Sequence, residues 1–123
     1  MPRILSAERA FACAACGAQA GIVQLFGPAG DAELIRQSFT SRLTARIPAE
    51  GFESVRGIIL SGEIQPLYDW DQEVASFYCP SCHCCYCGEH WIRRDVFEED
   101  DGFTWHDSIR GRCPQGHERM LED

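Results

Sequence analysis

Apolar and polar residues alternate most clearly over residues 39–47, where Leu43, Ala45 and Ile47 share one side and Thr44 and Arg46 the other. A period of two is the repeat of a half-buried strand, and Pro48 ends it. Upstream, GIVQLF at 21–26 reads as a short strand and GPAGD at 27–31 as a turn, with Asp31 capping a short helix that runs through residue 39. Residues 49–54 carry no clear period. The runs 55–60 and 63–68 flank Ser61-Gly62, and the first is rich in branched apolar residues, so the pattern predicts a β-hairpin with Pro66 holding its second strand at an edge. A second hairpin is predicted where 91–97 and 103–112 surround Asp101-Gly102, a favoured pair for a two-residue turn. If those two residues form the turn, His90 falls directly opposite Cys113. Together these elements predict an α+β, mostly β fold built on a small antiparallel sheet.

Composition turns this pattern into a small globular protein. The chain has 123 residues, 45% of them hydrophobic and 24% charged, which suits one compact unit and excludes a disordered chain. Residues 1–76 are expected to hold an N-terminal knuckle and the central strands, and residues 77–123 a cysteine- and histidine-rich module with the C-terminal hairpin. No run approaches the roughly 18 apolar residues of a spanning helix, and MPRILSAERAFAC lacks the apolar core of a secretory signal, so a cytoplasmic protein without membrane contact is expected. The formal charge of −8 opposes a phosphate backbone. Six ligating thiolates against two Zn²⁺ would deepen it to about −10.

Eight cysteines bring in the chemistry, because a reducing compartment favours metal ligation over disulfides. Residues 77–91, FYCPSCHCCYCGEHW, hold five cysteines and two histidines, a density that no ordinary core requires. Four pairs have the spacing at which one turn presents two donors: Cys13/Cys16, Cys79/Cys82, Cys87/His90 and Cys113/His117. Eight donors make two closed tetrahedral sites, so two structural Zn²⁺ are expected. The hairpin register favours Cys87, His90, Cys113 and His117 as one site and Cys13, Cys16, Cys79 and Cys82 as the other; an all-cysteine quartet could also take iron. A cross-braced grouping, Cys13/Cys16 with Cys87/His90 and Cys79/Cys82 with Cys113/His117, ranks second.

Other candidates weaken beside this set. Cys84 and Cys85 are surplus, either free thiols or, for the knuckle-like Cys84-x2-Cys87, a replacement ligand; a redox role for the pair is the weakest reading. His83 and His106 are expected to face solvent or make local hydrogen bonds. Glu89 would need a metal-bound water to act as a base, and a closed site offers none. The HxE of zinc deaminases is missing, because the four histidines are followed at the second position by Cys85, Ile92, Ser108 and Arg119. HExxH, P-loop and dinucleotide motifs are also missing, so no catalytic residue is assigned. Trp70, Trp91 and Trp105 are expected in the core or against the metal sites, and the acidic residues 98–101 at a solvated hairpin tip.

The run Cys79-x2-Cys82-x4-Cys87-x2-His90, with Tyr86 before Cys87, resembles the latter half of in-between-RING zinc modules and other treble-clef fingers. The FxCxxCG knuckle at 11–17 and FYCPSC at 77–82 resemble the two knuckles of a zinc ribbon. The first resemblance covers about a dozen residues and implies that neighbouring pairs serve different ions. The chain departs from that pattern in its closing Cys-x3-His and in the long insertion after the first knuckle. The expected function is a zinc-stabilised adaptor that binds a protein partner. The alternatives are a RING-like or in-between-RING-like component of ubiquitin-like conjugation and a nucleic-acid-binding zinc ribbon, the latter opposed by the acidic balance.

Overall fold

The computed structural model describes residues 4–100 and 102–122. Its first half is an antiparallel meander of four strands, β1 (Ile4–Ala12), β2 (Gln19–Gly27), β3 (Ala32–Ser38) and β4 (Arg42–Ile47), paired in chain order. Two helices, α1 (Phe52–Ser61) and α2 (Gln65–Trp70), follow a 3-10 turn at Ala49–Gly51. The second half contains a two-residue ladder of β5 (Tyr78–Cys79) with β6 (Cys84–Cys85) and a three-stranded antiparallel sheet of β7 (Ile92–Asp100), β8 (Phe103–Arg112) and β9 (Glu118–Glu122). The fold is mostly β with few helices.

Period two governs the first sheet. Val23 and Leu25 of β2, Ala32 and Leu34 of β3 and Ile47 of β4 are buried, and they pack with Phe52, Val55 and Ile59 of α1 and Leu67 of α2. Across the strands, Leu25 faces Leu34, and Leu34 faces Ala45. The expected strand at 21–26 is therefore present, and that at 39–47 is present over 42–47, residues 39–41 forming the connection from β3.

Two expectations fail here. Within the helix expected at 31–39, residues 32–38 form a strand: Ala, Glu, Leu, Arg and Gln all favour helix, but the segment lies between β2 and β4, and pairing on both sides outweighs that propensity. Residues 55–68 form α1 and α2 and not a hairpin. Phe52, Val55 and Ile59 repeat at three and four residues and bury one helical stripe, a period that starts in the unassigned stretch 49–54. Gly62 ends α1 in the left-handed conformation at φ 76°, and Pro66 opens the first turn of α2.

Two buried arginines organise the connection into the second half. Arg36 donates to the carbonyl of Glu73 at 2.8 Å and to that of Ser41 at 2.7 Å. Arg119 of β9 donates to the carbonyls of Ala75 at 2.8 Å, Tyr78 at 2.7 Å and Gln72 at 3.1 Å, with its guanidinium 5.1 Å from the Tyr68 ring centre. These bonds satisfy the backbone of the irregular segment 71–77, which is buried at residues 74–77. They also dock β9 against the approach to β5.

The C-terminal hairpin is present, with one change of register. Near its tip Phe97 pairs with His106 and Asp100 with Phe103, as a two-residue turn at 101–102 requires, although Asp101 itself lies outside the described residues. At Val96, which pairs with Ser108, Asp107 is left over as a bulge, and every pair below it is displaced by one, ending with Ile92 opposite Arg112. His90 is therefore not across from Cys113.

Candidate metal centres

Each of the four ligand pairs sits on a tight backbone turn. Cys13 and Cys16 occupy the β1–β2 connection, Cys79 and Cys82 the β5–β6 turn, and Cys113 and His117 the β8–β9 turn, while Cys87 and His90 form the loop entering β7. The N–H of the residue four places on returns to the first cysteine's carbonyl in three of them: Gly17 to Cys13 at 2.8 Å, His83 to Cys79 at 2.9 Å and Trp91 to Cys87 at 3.1 Å. In the first two that residue is left-handed, at φ 79° for Gly17 and 57° for His83. Closing the loop this way turns backbone N–H groups toward the sulfurs.

The eight donors gather as two Cys₃His clusters, Cys13, Cys16, Cys87 and His90 in one and Cys79, Cys82, Cys113 and His117 in the other. This is the cross-braced grouping, in place of the one favoured by an unbroken hairpin register. The bulge at Asp107 accounts for the separation of His90 from Cys113. Two further contacts set the partners: Ala14 donates to the Cys85 carbonyl at 2.8 Å, drawing the first knuckle to the segment before Cys87, while Arg119 draws β9 to the segment before Cys79.

The geometry can be tested against a metal. Zn–S bonds of about 2.3 Å and Zn–N bonds of about 2.0–2.1 Å give tetrahedral edges of about 3.8 Å between sulfurs and about 3.6 Å from sulfur to nitrogen. In the first cluster Cys16 Sγ lies 3.6 Å from Cys87 Sγ, and His90 Nδ1 lies 3.6 Å from Cys13 Sγ and 3.3 Å from Cys87 Sγ. In the second, Cys82 Sγ lies 3.7 Å from Cys113 Sγ, and His117 Nδ1 lies 3.8, 3.2 and 3.5 Å from the sulfurs of Cys79, Cys82 and Cys113. All eight cysteines are free thiols, and these sulfur pairs are far beyond the disulfide bond length. Both clusters can hold a metal ion, and neither is an all-cysteine quartet.

The electrostatics prepare one strong donor in each cluster. Burial pushes the Cys13 thiol up, but the N–H groups of Cys87, Ala15 and Cys16 outweigh it and bring it down to about 6. At Cys113 burial also acts upward, and the N–H groups of His117 and Gln115 with the Cys82 and Cys79 thiols bring it down to about 7. Burial holds Cys79 up at about 12. A cation entering beside a thiolate favours deprotonation of the remaining thiols, so metal uptake releases protons.

The space around the clusters is filled by a small core of Tyr86, Trp91 and Leu121 together with Cys13, Cys79, Cys87 and Cys113. Trp91 stands edge-on to Tyr86 with ring centres 6.0 Å apart and donates through Nε1 to the Phe77 carbonyl at 3.2 Å. The Cys82 and Cys84 thiols near the Tyr86 hydroxyl, together with burial, push its phenol well up. Of the three tryptophans only Trp91 is buried; Trp70 and Trp105 are exposed, because neither faces either core.

Cys84 and Cys85 lie outside both clusters: Cys84 pairs across the ladder with Cys79 and packs beside the core around the clusters, and Cys85 is buried in the core of the first sheet. His106 hydrogen-bonds Asp95 at 3.0 Å, and His83 lies 3.5 Å from the Tyr78 hydroxyl. The Glu89 side chain is exposed. Sequence reasoning missed Arg36 and Arg119, because an isolated arginine carries no periodic signal of burial. It also missed strands β1 and β9, the second of which positions Cys113 and His117.

The model of one protein family, described as a domain of unknown function (DUF8328), matches residues 3–123. No curated protein and no solved structure matches the chain.

Proposed function

The chain belongs to the DUF8328 family, and from that premise and the two clusters we propose that it is a zinc-stabilised protein-interaction module whose two Zn²⁺ are structural. The observation that carries this reading is the pair of closed Cys₃His quartets, with edges of tetrahedral length, built from segments more than seventy residues apart in one case. Three thiolates and an imidazole suit zinc, and four protein donors leave no position for a substrate or an activated water. An ion at each site would lock the first sheet to the C-terminal hairpin. The exposed β7–β8 ribbon is the surface such a scaffold would offer to a partner.

The test is the metal content of freshly purified protein by elemental mass spectrometry, with thiols counted on the same sample under denaturing, chelating conditions. Two zinc ions per chain and eight reduced thiols are expected. One ion or none would remove the reading.

A second reading, a RING-like or in-between-RING-like component of ubiquitin-like conjugation, draws support from one feature: the neighbouring pairs Cys79/Cys82 and Cys87/His90 fall in different clusters, as the local resemblance implies. Co-purification of a charged conjugating enzyme would favour it. A nucleic-acid role is opposed by the charge of −8.

A further inference from the structure

The outer face of the C-terminal sheet changes sign of charge along its length. Side chains of directly paired residues share a face, so Ile92 with Arg112, Arg94 with Arg110, Val96 with Ser108, and Glu98 with Trp105 lie along one surface. Phe103, two residues before Trp105, lies on that face too. The base of this surface is basic, a shallow hollow lined by Ile92, Arg94, Arg110 and Arg112, with Glu118 paired to Arg112 at 3.6 Å. The distal part is acidic and aromatic. Ile92 is 70% exposed, Phe103 75% and Trp105 48%, although each is a side chain that a fold usually covers. Among the described residues Arg94, Arg110 and Glu98 make no ion pair.

We propose that this face is a self-association surface, on which a second copy of the chain packs about a two-fold axis so that Arg94 and Arg110 of each copy meet Glu98 of the other. A face that is basic at one end and acidic at the other is complementary to itself only when one copy is reversed, which is the relation a two-fold axis imposes. Arg94 and Glu98 are four residues apart on one strand, about 13 Å at strand rise, so the axis passes near Val96 and Ser108. That arrangement brings the apolar Ile92 of one copy toward Trp105 and Phe103 of the other, covering the exposed aromatics at both ends. The overall negative charge of each copy opposes approach at long range, but beyond about 8 Å that repulsion is screened at physiological ionic strength, and the local pairs decide. Beyond the reach of β9 the hairpin is two-stranded and exposed at residues 102–107, a part that is marginal by itself and to which this contact would give a second layer.

The proposal rests on the zinc reading only in that the β8–β9 turn carries Cys113 and His117, so zinc content is measured on every variant. The experiment is sedimentation equilibrium on the zinc-loaded full chain, on R94E, on E98R and on their equimolar mixture. The native chain is expected to dimerise. Each variant alone places like charges together twice, by symmetry, and is expected to dimerise at least about tenfold more weakly. In the mixture the two reversed charges face each other at one end of the interface, the native pairing of Arg94 with Glu98 is retained at the other, and dimerisation should return. A native chain that is monomeric at every concentration overturns the proposal, as does a dimer that both variants leave unchanged or a mixture that stays monomeric. Loss of zinc from the native chain would strike the zinc reading instead, and variants that keep two zinc ions while losing the dimer separate the interface from the fold.

Discussion

His83 occupies in the second knuckle the left-handed position that Gly17 occupies in the first, and the two residues make the same return bond. A side chain there costs free energy that glycine does not, about 1 kcal/mol. His83→Gly should therefore leave stability unchanged or raise it by up to about 1 kcal/mol in thermal or denaturant unfolding, while Gly17→Val lowers it. The Cys85 thiol gives a second residue-scale test. Burial, with Cys84 and Cys13 nearby, pushes it up to about 12 from 9.0, so it stays protonated at pH 8 and lacks the reactive thiolate. Alkylation at pH 8 should spare Cys85 until the protein unfolds, as mass mapping would reveal. Because the folded value lies above the unfolded one, its contribution to stability is complete below pH 9 and is lost as pH rises toward 12.

At the scale of elements, the grouping of ligand pairs depends on one bulge and two docking contacts. If the cross-braced clusters hold zinc, Cys13→Ser and Cys87→Ser each remove the same ion, so the double variant should retain one zinc per chain. Cys13→Ser combined with Cys79→Ser should retain none. The grouping of Cys13/Cys16 with Cys79/Cys82 and of Cys87/His90 with Cys113/His117 predicts the reverse, and elemental analysis of the two double variants decides between them. Arg119 belongs to this scale as well, because it joins β9 to the segment before Cys79 through the carbonyls of Gln72, Ala75 and Tyr78. Arg119→Met keeps much of the bulk and leaves those carbonyls unpaired, at an expected cost of about 3 kcal/mol or more in denaturant unfolding.

Over the whole molecule the two cores differ in what they are made of. The larger is a conventional apolar layer between the four-stranded sheet and the helices, extended by Phe77, Tyr78 and Cys85 from the second half. In the smaller, four of the seven buried residues are cysteines of the two clusters, so if these hold metal, its removal would take away most of the cohesion of that core. Structural zinc contributes about 10 to 16 kcal/mol apparent in finger peptides, far more than Tyr86, Trp91 and Leu121 can supply. Chelation should therefore abolish amide-exchange protection in β8 and β9 while β2 and β3 retain theirs. Equal loss in both sheets would mean that the larger core also depends on the ions.

The four ligand pairs were legible in the sequence because each is a local spacing, two or three residues on one turn, and local spacing survives without knowledge of the fold. The same holds for β2, β4 and the C-terminal hairpin, whose alternation or turn residues lie within a few positions of one another. What failed depended on neighbours distant in sequence. Residues 32–38 became a strand because β2 and β4 pair with both edges, and α1 replaced a predicted hairpin because its buried stripe begins at Phe52, outside the window that the branched residues suggested. The grouping of the clusters was decided by Asp107, a single extra residue that shifts every pair below it, and by Arg119 and Ala14 bonding to carbonyls tens of residues away. The sequence by itself thus determined which side chains can bind metal and in what pairs. Which pairs come together was decided only by the tertiary structure, because a one-residue change in register alters the partner of every side chain beyond it.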